Sequence, residues 1–191
     1  RHKLVGGARA SFLEVTTPAD LEGMRFLFLE HADKPSEQYI KIPAARHGVL
    51  VSESARKQPF LGSSFAVADL VEPDLDAFTY RFAGETTVLG RPCRLVESVP
   101  KKPEDALYGK VINALDPTDL LALQREFFDQ KDHPLKVWQV RKVERIDGNW
   151  TIRDQTMRSV RDHGTSRLEV ETITFNVELP DSMFTPAYLL Q

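Results

Sequence analysis

Gly62-Ser63-Ser64-Phe65-Ala66 is one residue away from the G-x-S-x-G turn that exposes a nucleophilic serine in α/β hydrolases, with Ala66 in place of the second glycine. That chemistry needs a buried apolar strand before the serine and a long helix after it. Here the preceding segment, Ser52 to Pro59, is polar and ends in proline, and the following one, Phe65 to Leu70, is barely one turn long before Pro73. Asp74, Asp76, His133 and His163 could be written into a triad, as candidates in any chain of this length could. The simpler reading is structural. Ser63 or Ser64 accepts hydrogen bonds from the free N–H groups of a short helix, Phe65 to Leu70, while Phe60, Leu61 and Phe65 plug apolar surface.

The other residue types that do chemistry are scattered. His2, His31, His47, His133 and His163 form no H-x-H or H-E-x-x-H spacing and read as solvated turn histidines. Carboxylates mostly alternate with basic residues, as in Arg167-Leu168-Glu169-Val170-Glu171, which is the pattern of a solvated strand face. No glycine-rich phosphate loop is present. Cys93 is the only cysteine, which excludes an internal disulfide and a cysteine-based zinc site. Neither a catalytic residue, a metal nor a cofactor is expected.

Composition agrees. The 191 residues suffice for one domain with a substantial core; 41% are hydrophobic and 28% charged, and a net charge of −3 gives no reason to expect nucleic acid. No apolar run reaches the roughly 18 to 20 residues that span a bilayer. The chain begins at Arg1, so the lack of an export signal says nothing about compartment.

The elements that must position any site are β-type segments between turn residues. Strands are expected at 9–16, 23–30, 38–42, 48–52, 78–89, 92–99, 109–115, 121–129, 135–146, 150–161 and 165–179. Asp33–Pro35 and Pro43–Arg46 separate early strands, Gly90-Arg91 turns a hairpin, and QKDH, DG and DHG are short meander turns. Helical signal is limited to Phe65–Leu70, Pro117–Leu121 and a last turn near Pro186–Leu190. The fold class is mainly β (α+β): one strongly curved antiparallel sheet, a half-barrel, with a few short helices covering its apolar concave face. Between Leu168 and Val177 the apolar positions switch from even to odd, which predicts a β-bulge at Glu171–Thr172. Phe26 to Leu29 are consecutive apolar residues, so that strand is apolar on both faces. A sheet with so few helices needs another apolar layer or a ligand. Inward members of the strands carrying Phe12, Phe26, Phe28, Phe82, Trp138 and Phe175 are expected to form one apolar, ligand-binding face.

Taken in order, several segments carry a resemblance. They are Thr17-Pro18-Ala19-Asp20-Leu21-Glu22-Gly23, Gln38-Tyr39-Ile40-Lys41-Ile42-Pro43, Phe60-Leu61-Gly62-Ser63-Ser64-Phe65 with Asp69-Leu70, Gly90-Arg91-Pro92-Cys93, Pro134-Leu135-Lys136, Gly148-Asn149-Trp150 with Met157, and Phe184-Thr185-Pro186-Ala187-Tyr188-Leu189. The chain resembles the outer-membrane lipoprotein-sorting protein family, the LolA-like branch of the LolA/LolB superfamily, over nearly all of its length from about residue 9. The resemblance implies one carrier domain over 1–191, without the helix and first strands usual at the family's N-terminus, and with Ser64 where aspartate is usual. It further implies a periplasmic, non-enzymatic protein that holds lipid or lipoprotein acyl chains in an apolar cavity, without cofactor, and that meets a membrane-protein delivery or acceptor partner. The alternative is an envelope sensor or protein-interaction module on the same fold, accessory to a lipid exporter.

On either reading Ser64→Ala leaves any esterase signal unchanged and, where Ser64 is the cap, lowers stability by about 1 kcal/mol. Loss of a measurable hydrolytic activity in the purified variant would overturn the carrier reading.

Overall fold

Paired turn residues in left-handed backbone set the meander. Leu89-Gly90 and Asp147-Gly148 both have positive φ at two consecutive positions, the geometry that joins antiparallel strands through two residues without splaying them. The computed structural model describes residues 1–31, 34, 36–43, 48–71 and 73–191, apart from the side chain of Glu53. His47, most of the Pro43–Arg46 separator and both ends of the Asp33–Pro35 separator lie outside the described residues. The chain divides into two compact units, Arg1–Arg56 with Asn176–Gln191, and Lys57–Phe175.

The first unit is a five-stranded antiparallel meander, β1 (His2–Val5), β2 (Ala8–Glu14), β3 (Arg25–Leu29), β4 (Glu37–Lys41) and β5 (Val49–Leu50), paired in chain order. β1 is not foreseen by the alternation, being four residues long and only half-buried at alternate positions. Ala10, Phe12 and Leu27 pack with Met183, Phe184 and Leu189 from the C-terminal segment. That segment ends in the short helix α2 (Pro186–Leu189), where Thr185 Oγ1 accepts from Tyr188 N at 3.2 Å and Pro186 opens the helix, as the sequence expects. The short helix α1 (Glu53–Arg56) closes the N-terminal part of the unit.

The second unit is a seven-stranded antiparallel sheet, β6 (Phe78–Val88), β7 (Arg91–Pro100), β8 (Lys110–Asp116), β9 (Leu121–Phe128), β10 (Pro134–Ile146), β11 (Asn149–Ser159) and β12 (Thr165–Glu169), again in chain order. The expected mainly β, antiparallel fold with few helices is therefore observed, as two sheets rather than one, and the sheet is not closed into a barrel. The separation falls between β5 and β6, where the polar stretch before Pro59 cannot continue a ladder. Register shifts between Phe82 and Gly84, Ala114 and Leu115, Pro134 and Lys136, and around Lys142 bend the strands.

Three expectations are corrected. Pro117–Leu121 forms a turn, because Asp116 Oδ1 accepts from Thr118 N and Asp119 N and ends the strand before a helix can start. β12 ends at Glu169 and its last backbone bond to β11 is Val170 N to the Arg153 carbonyl, so no bulge forms at Glu171–Thr172. Arg153 Nη2 donates to the Glu171 carbonyl at 2.9 Å, so a side chain takes the place of the ladder. The helix at Phe65–Leu70 is shorter, a 3-10 turn over Val67–Leu70 preceded by another at Phe60–Gly62.

Ser64 does not cap the turn. Its N–H donates to Ser166 Oγ at 2.9 Å, and its hydroxyl accepts from the same Oγ at 3.4 Å. Ser63 Oγ accepts from Phe65 N at 3.2 Å, a local turn contact, and Asp69 holds the start of the 3-10 turn through Ala66 N at 2.6 Å. With so little bonded through its own hydroxyl, Ser64→Ala should change stability by less than about 0.5 kcal/mol.

The segment from Phe60 to Leu70 is fastened to the second sheet by a buried ion pair. Lys136 Nζ lies 2.5 Å from Asp69 Oδ2, with side-chain exposures of 10% and 6%. Tyr108 donates its hydroxyl to Asp69 Oδ1 at 2.6 Å, and burial followed by the Asp69 charge pushes that phenol far above its ordinary range. A second, more superficial cluster ties one end of the sheet. Arg91 reaches Asp116 at 2.7 Å and also bonds Asp119, with its guanidinium 4.6 Å above the Trp150 ring.

Two stability predictions follow from these clusters. Lys136→Met leaves the Asp69 carboxylate buried without its counter-charge and should cost about 3–5 kcal/mol in urea unfolding. Adding Asp69→Asn should recover much of that loss; additive losses in the double variant would show the pair to be uncoupled. The Arg91 hydrogen bond holds the Asp116 carboxyl below the usual carboxylate range. Its stabilising effect is therefore present above the unfolded value of about 3.9 and disappears as pH falls through the lower folded value. Thermal melts should show Asp116→Asn less stable than the parent at pH 7, with the difference shrinking below about pH 4.

Candidate functional site

Residues directly opposite one another in a sheet share a face. The registers therefore trace one row across all seven strands of the second unit: Phe82, Val96, Asn113, Arg125, Trp138, Met157 and Ser166. A parallel row one pleat along runs through Tyr80, Ser98, Val111, Phe127, Lys136 and Ser159. This face, called here the inner face, is the one that the Phe60–Leu70 segment covers, since it carries both Lys136 and Ser166.

The cover is uneven. Over β9 to β12 the inner face is closed: Phe65 packs into the cluster of Leu123, Phe127, Trp138, Val140 and Met157, with Phe60 and Tyr108 against it. The Tyr108 and Phe127 rings lie 4.6 Å apart, and Lys136 Nζ sits 5.0 and 5.3 Å from their centroids. At the Tyr80–Phe82 part of β6 the same face is open, whereas Val88 further along that strand belongs to the buried cluster. Phe82 is 61% exposed and Tyr80 49%, although both stand in row with buried residues. The inner face thus runs from an open aromatic margin to a roofed aromatic interior.

It is also more polar than a core. Asn113 Nδ2 donates to the Val96 carbonyl at 3.1 Å and to Ser98 Oγ at 2.9 Å, and the Trp138 indole donates to Gln155 Oε1 at 2.5 Å. Arg125, between Asn113 and Trp138 in the row, lies with its guanidinium carbon 5.2 Å from the centre of the Trp138 ring. Its Nε is buried and has no hydrogen-bond partner among the described residues.

The six aromatic residues singled out from the sequence do not form one surface. Trp138 and Phe82 share the inner face. Phe12 faces the C-terminal segment of the other unit, 5.4 Å edge-on to Tyr188. Phe26 and Phe28 lie on the opposite face of that five-stranded sheet, because Leu27 between them is the partner of Phe12; β3 is buried on both faces, as its run of apolar residues predicts. Phe175 sits half-buried in a bend beyond β12, outside any strand, for the reason that ends β12 at Glu169. Asp69, Lys136, Tyr108 and Arg125 were not singled out. A signal was available: Arg125 is in phase with Leu123 and Phe127, and Lys136 with Trp138 and Val140, so each is a charge at an inward position.

Of the histidines, His133 Nδ1 lies 3.1 Å from Asp129 Oδ2 in an exposed turn, His2 and His163 are exposed, and His31 is half-buried, 3.7 Å from Glu37. Among the described residues no group of three His, Cys, Asp or Glu side chains could hold a metal ion, and no helix is long and apolar enough to cross a membrane.

Comparison with known proteins places this geometry. The chain matches a solved DUF1329 family protein from Desulfovibrio piger with TM-score 0.92 at 24% identity, covering 98% of this chain and 81% of that one. A Vibrio parahaemolyticus domain described as an outer membrane lipoprotein-sorting protein matches with TM-score 0.89 at 22% identity, over 96% of this chain and 78% of that one. The LolA superfamily protein NE2245 from Nitrosomonas europaea matches with TM-score 0.72 at 16% identity, over 95% and 81%. No curated protein matches the sequence. A family model described as "uncharacterized protein"-like covers residues 7–191; the chain belongs to that family and has the fold of the LolA superfamily.

Proposed function

We propose that the protein is a non-enzymatic periplasmic carrier that takes acyl chains of a lipid or lipoprotein on the inner face of the seven-stranded sheet and passes them towards the outer membrane. The observation that carries this reading is the inner face itself, exposed at Tyr80 and Phe82 and continuing without a change of face to Trp138 and Met157 beneath the Phe60–Leu70 segment. The lipoprotein-sorting description of a fold neighbour supports it. Each methylene exposed to water costs about 0.8 kcal/mol, so an ordinary acyl chain carried uncovered costs on the order of 10 kcal/mol. A sheltered apolar face removes that barrier with no covalent step. The carrier domain comprises both units, in keeping with a family model that runs through both. Delivery to and from membranes is expected to use a membrane-protein partner.

One observation favours a second reading. β6 is an edge strand of 11 residues with exposed Tyr80 and Phe82. Such an edge can accept a strand from a protein partner, which is what an envelope sensor or interaction module would need.

Trp138 is at the proposed site and Trp150 lies under Arg91, so the indole emission reports on the sheet. Delipidated, folded protein should show saturable shifts with acyl lipids that strengthen with chain length, none with soluble headgroups, and co-purified lipid in native mass spectrometry. A flat titration across all chain lengths would leave the interaction module as the better reading.

A further inference from the structure

A charge stands where the inner face should be apolar. Arg125 projects from the middle strand of the sheet between the Asn113 and Trp138 positions, in a row flanked by Leu123 and Phe127. A guanidinium stays protonated at any physiological pH, so it cannot escape burial by titrating as lysine can. Burial pulls its pKa below the ordinary value, opposed only by the charge of Asp69. Yet Asp69 is already bonded to Lys136, Tyr108 and Ala66, and it makes no ion pair with Arg125. Asn113 spends its amide on Val96 and Ser98, and Gln155 accepts from Trp138. Among the described residues Arg125 has the Trp138 ring as a neighbour and no hydrogen-bond acceptor. Nε is sealed and unpaired, the side chain as a whole is part-buried, and its charge has no counter-ion among the described residues, so an anionic acceptor from outside the chain would be favoured there.

We infer that Arg125 is the head-group site of the inner face, and that it pairs with the carboxylate of a long-chain fatty acid lying head-inward along the row. The chain of such a ligand runs from Arg125 over Val96 and Val111 to Phe82 and Tyr80, the aromatic margin left open at β6. A carboxylate suits the place better than a bulkier phosphodiester. Trp138 closes one face of the guanidinium and Nε is shut off from solvent, which leaves the terminal nitrogens as an in-plane fork for two planar oxygens. The inference rests on the proposed acyl-chain carrier but adds an orientation and a charge preference that the carrier reading does not require.

The test compares palmitate with 1-hexadecanol, which keeps the chain and lacks the charge, on delipidated full-length protein at pH 8, by Trp138 emission and calorimetry. The parent protein should bind palmitate about tenfold or more tighter than the alcohol, the difference a charge-assisted pair makes. Arg125→Met should abolish that preference while keeping affinity for hexadecanol, and should raise the thermal midpoint, since it removes an unpaired, partly buried charge. Equal binding of the two ligands by the parent protein overturns the Arg125 site and leaves the carrier intact, and needs no variant. Palmitate preference surviving in Arg125→Met overturns it as well. Binding of neither ligand overturns both.

Discussion

A carboxylate removed from water must be paired, and Asp69 is paired three times. Lys136 reaches one of its oxygens, the Tyr108 hydroxyl the other, and the Ala66 amide shares the first. These groups come from three stretches of chain: β10, the loop before β8, and the Phe60–Leu70 segment itself. Moving any one of them away would strand a charge at a cost of several kcal/mol, so the position of the cover over the sheet is dictated more by this one carboxylate than by its apolar contacts. Such a pair adds little net stability compared with well-packed apolar residues. What it supplies is a single allowed placement, which Phe65 and Phe60 alone, free to slide over an aromatic surface, would not define.

The two sheets use this logic differently. In the first unit the C-terminal segment brings Met183, Phe184 and Leu189 to Ala10, Phe12 and Leu27, and the result is a dry cluster of apolar side chains. The inner face of the second sheet interleaves Ser98, Asn113, Arg125 and Gln155 with its aromatic residues, each hydrogen-bonded except the arginine. Polar groups distributed this way do not improve packing; they make sense on a face that meets something amphiphilic.

Much of this architecture was legible as alternation. The strands from β2 to β4 and from β6 to β11 lie within two residues of their expected bounds because their apolar residues recur with period two between strong turn signals such as Asp147-Gly148. Alternation is silent about which strands belong to one sheet, so the division after β5 was not visible. Nor does it say where a partner strand runs out: Thr165–Leu179 looks like one long strand, and only the loss of a ladder beyond Asp154 ends it at Glu169. The site was half visible. Trp138 and Phe82 were found by bulk, but bulk does not distinguish a roofed core from a binding face, and Phe12, Phe26 and Phe28 were grouped although β2–β3 register sets them on two faces. Asp69 and Lys136 stood in the segments that carry the family resemblance, yet a charge in a motif does not announce a partner 67 residues away. Ser63 or Ser64 reads from the sequence as a cap rather than a nucleophile; Ser63 makes a local turn contact with Phe65 N and Asp69 holds the turn's start, while the Ser64 hydroxyl meets that of Ser166.

The cover is held by more than the Asp69–Lys136 pair: the Tyr108 hydroxyl also binds Asp69, and the Ser64 N–H donates to Ser166 Oγ. Beneath these lies the apolar contact of Phe65 with Trp138, Phe127 and Met157. On the carrier reading proposed above, an acyl chain advancing from Phe82 along the row would meet the same surface that Phe65 covers. Uptake would then have to displace two kinds of contact: the polar set that fixes where the cover lies, and the apolar set that an acyl chain can replace in kind.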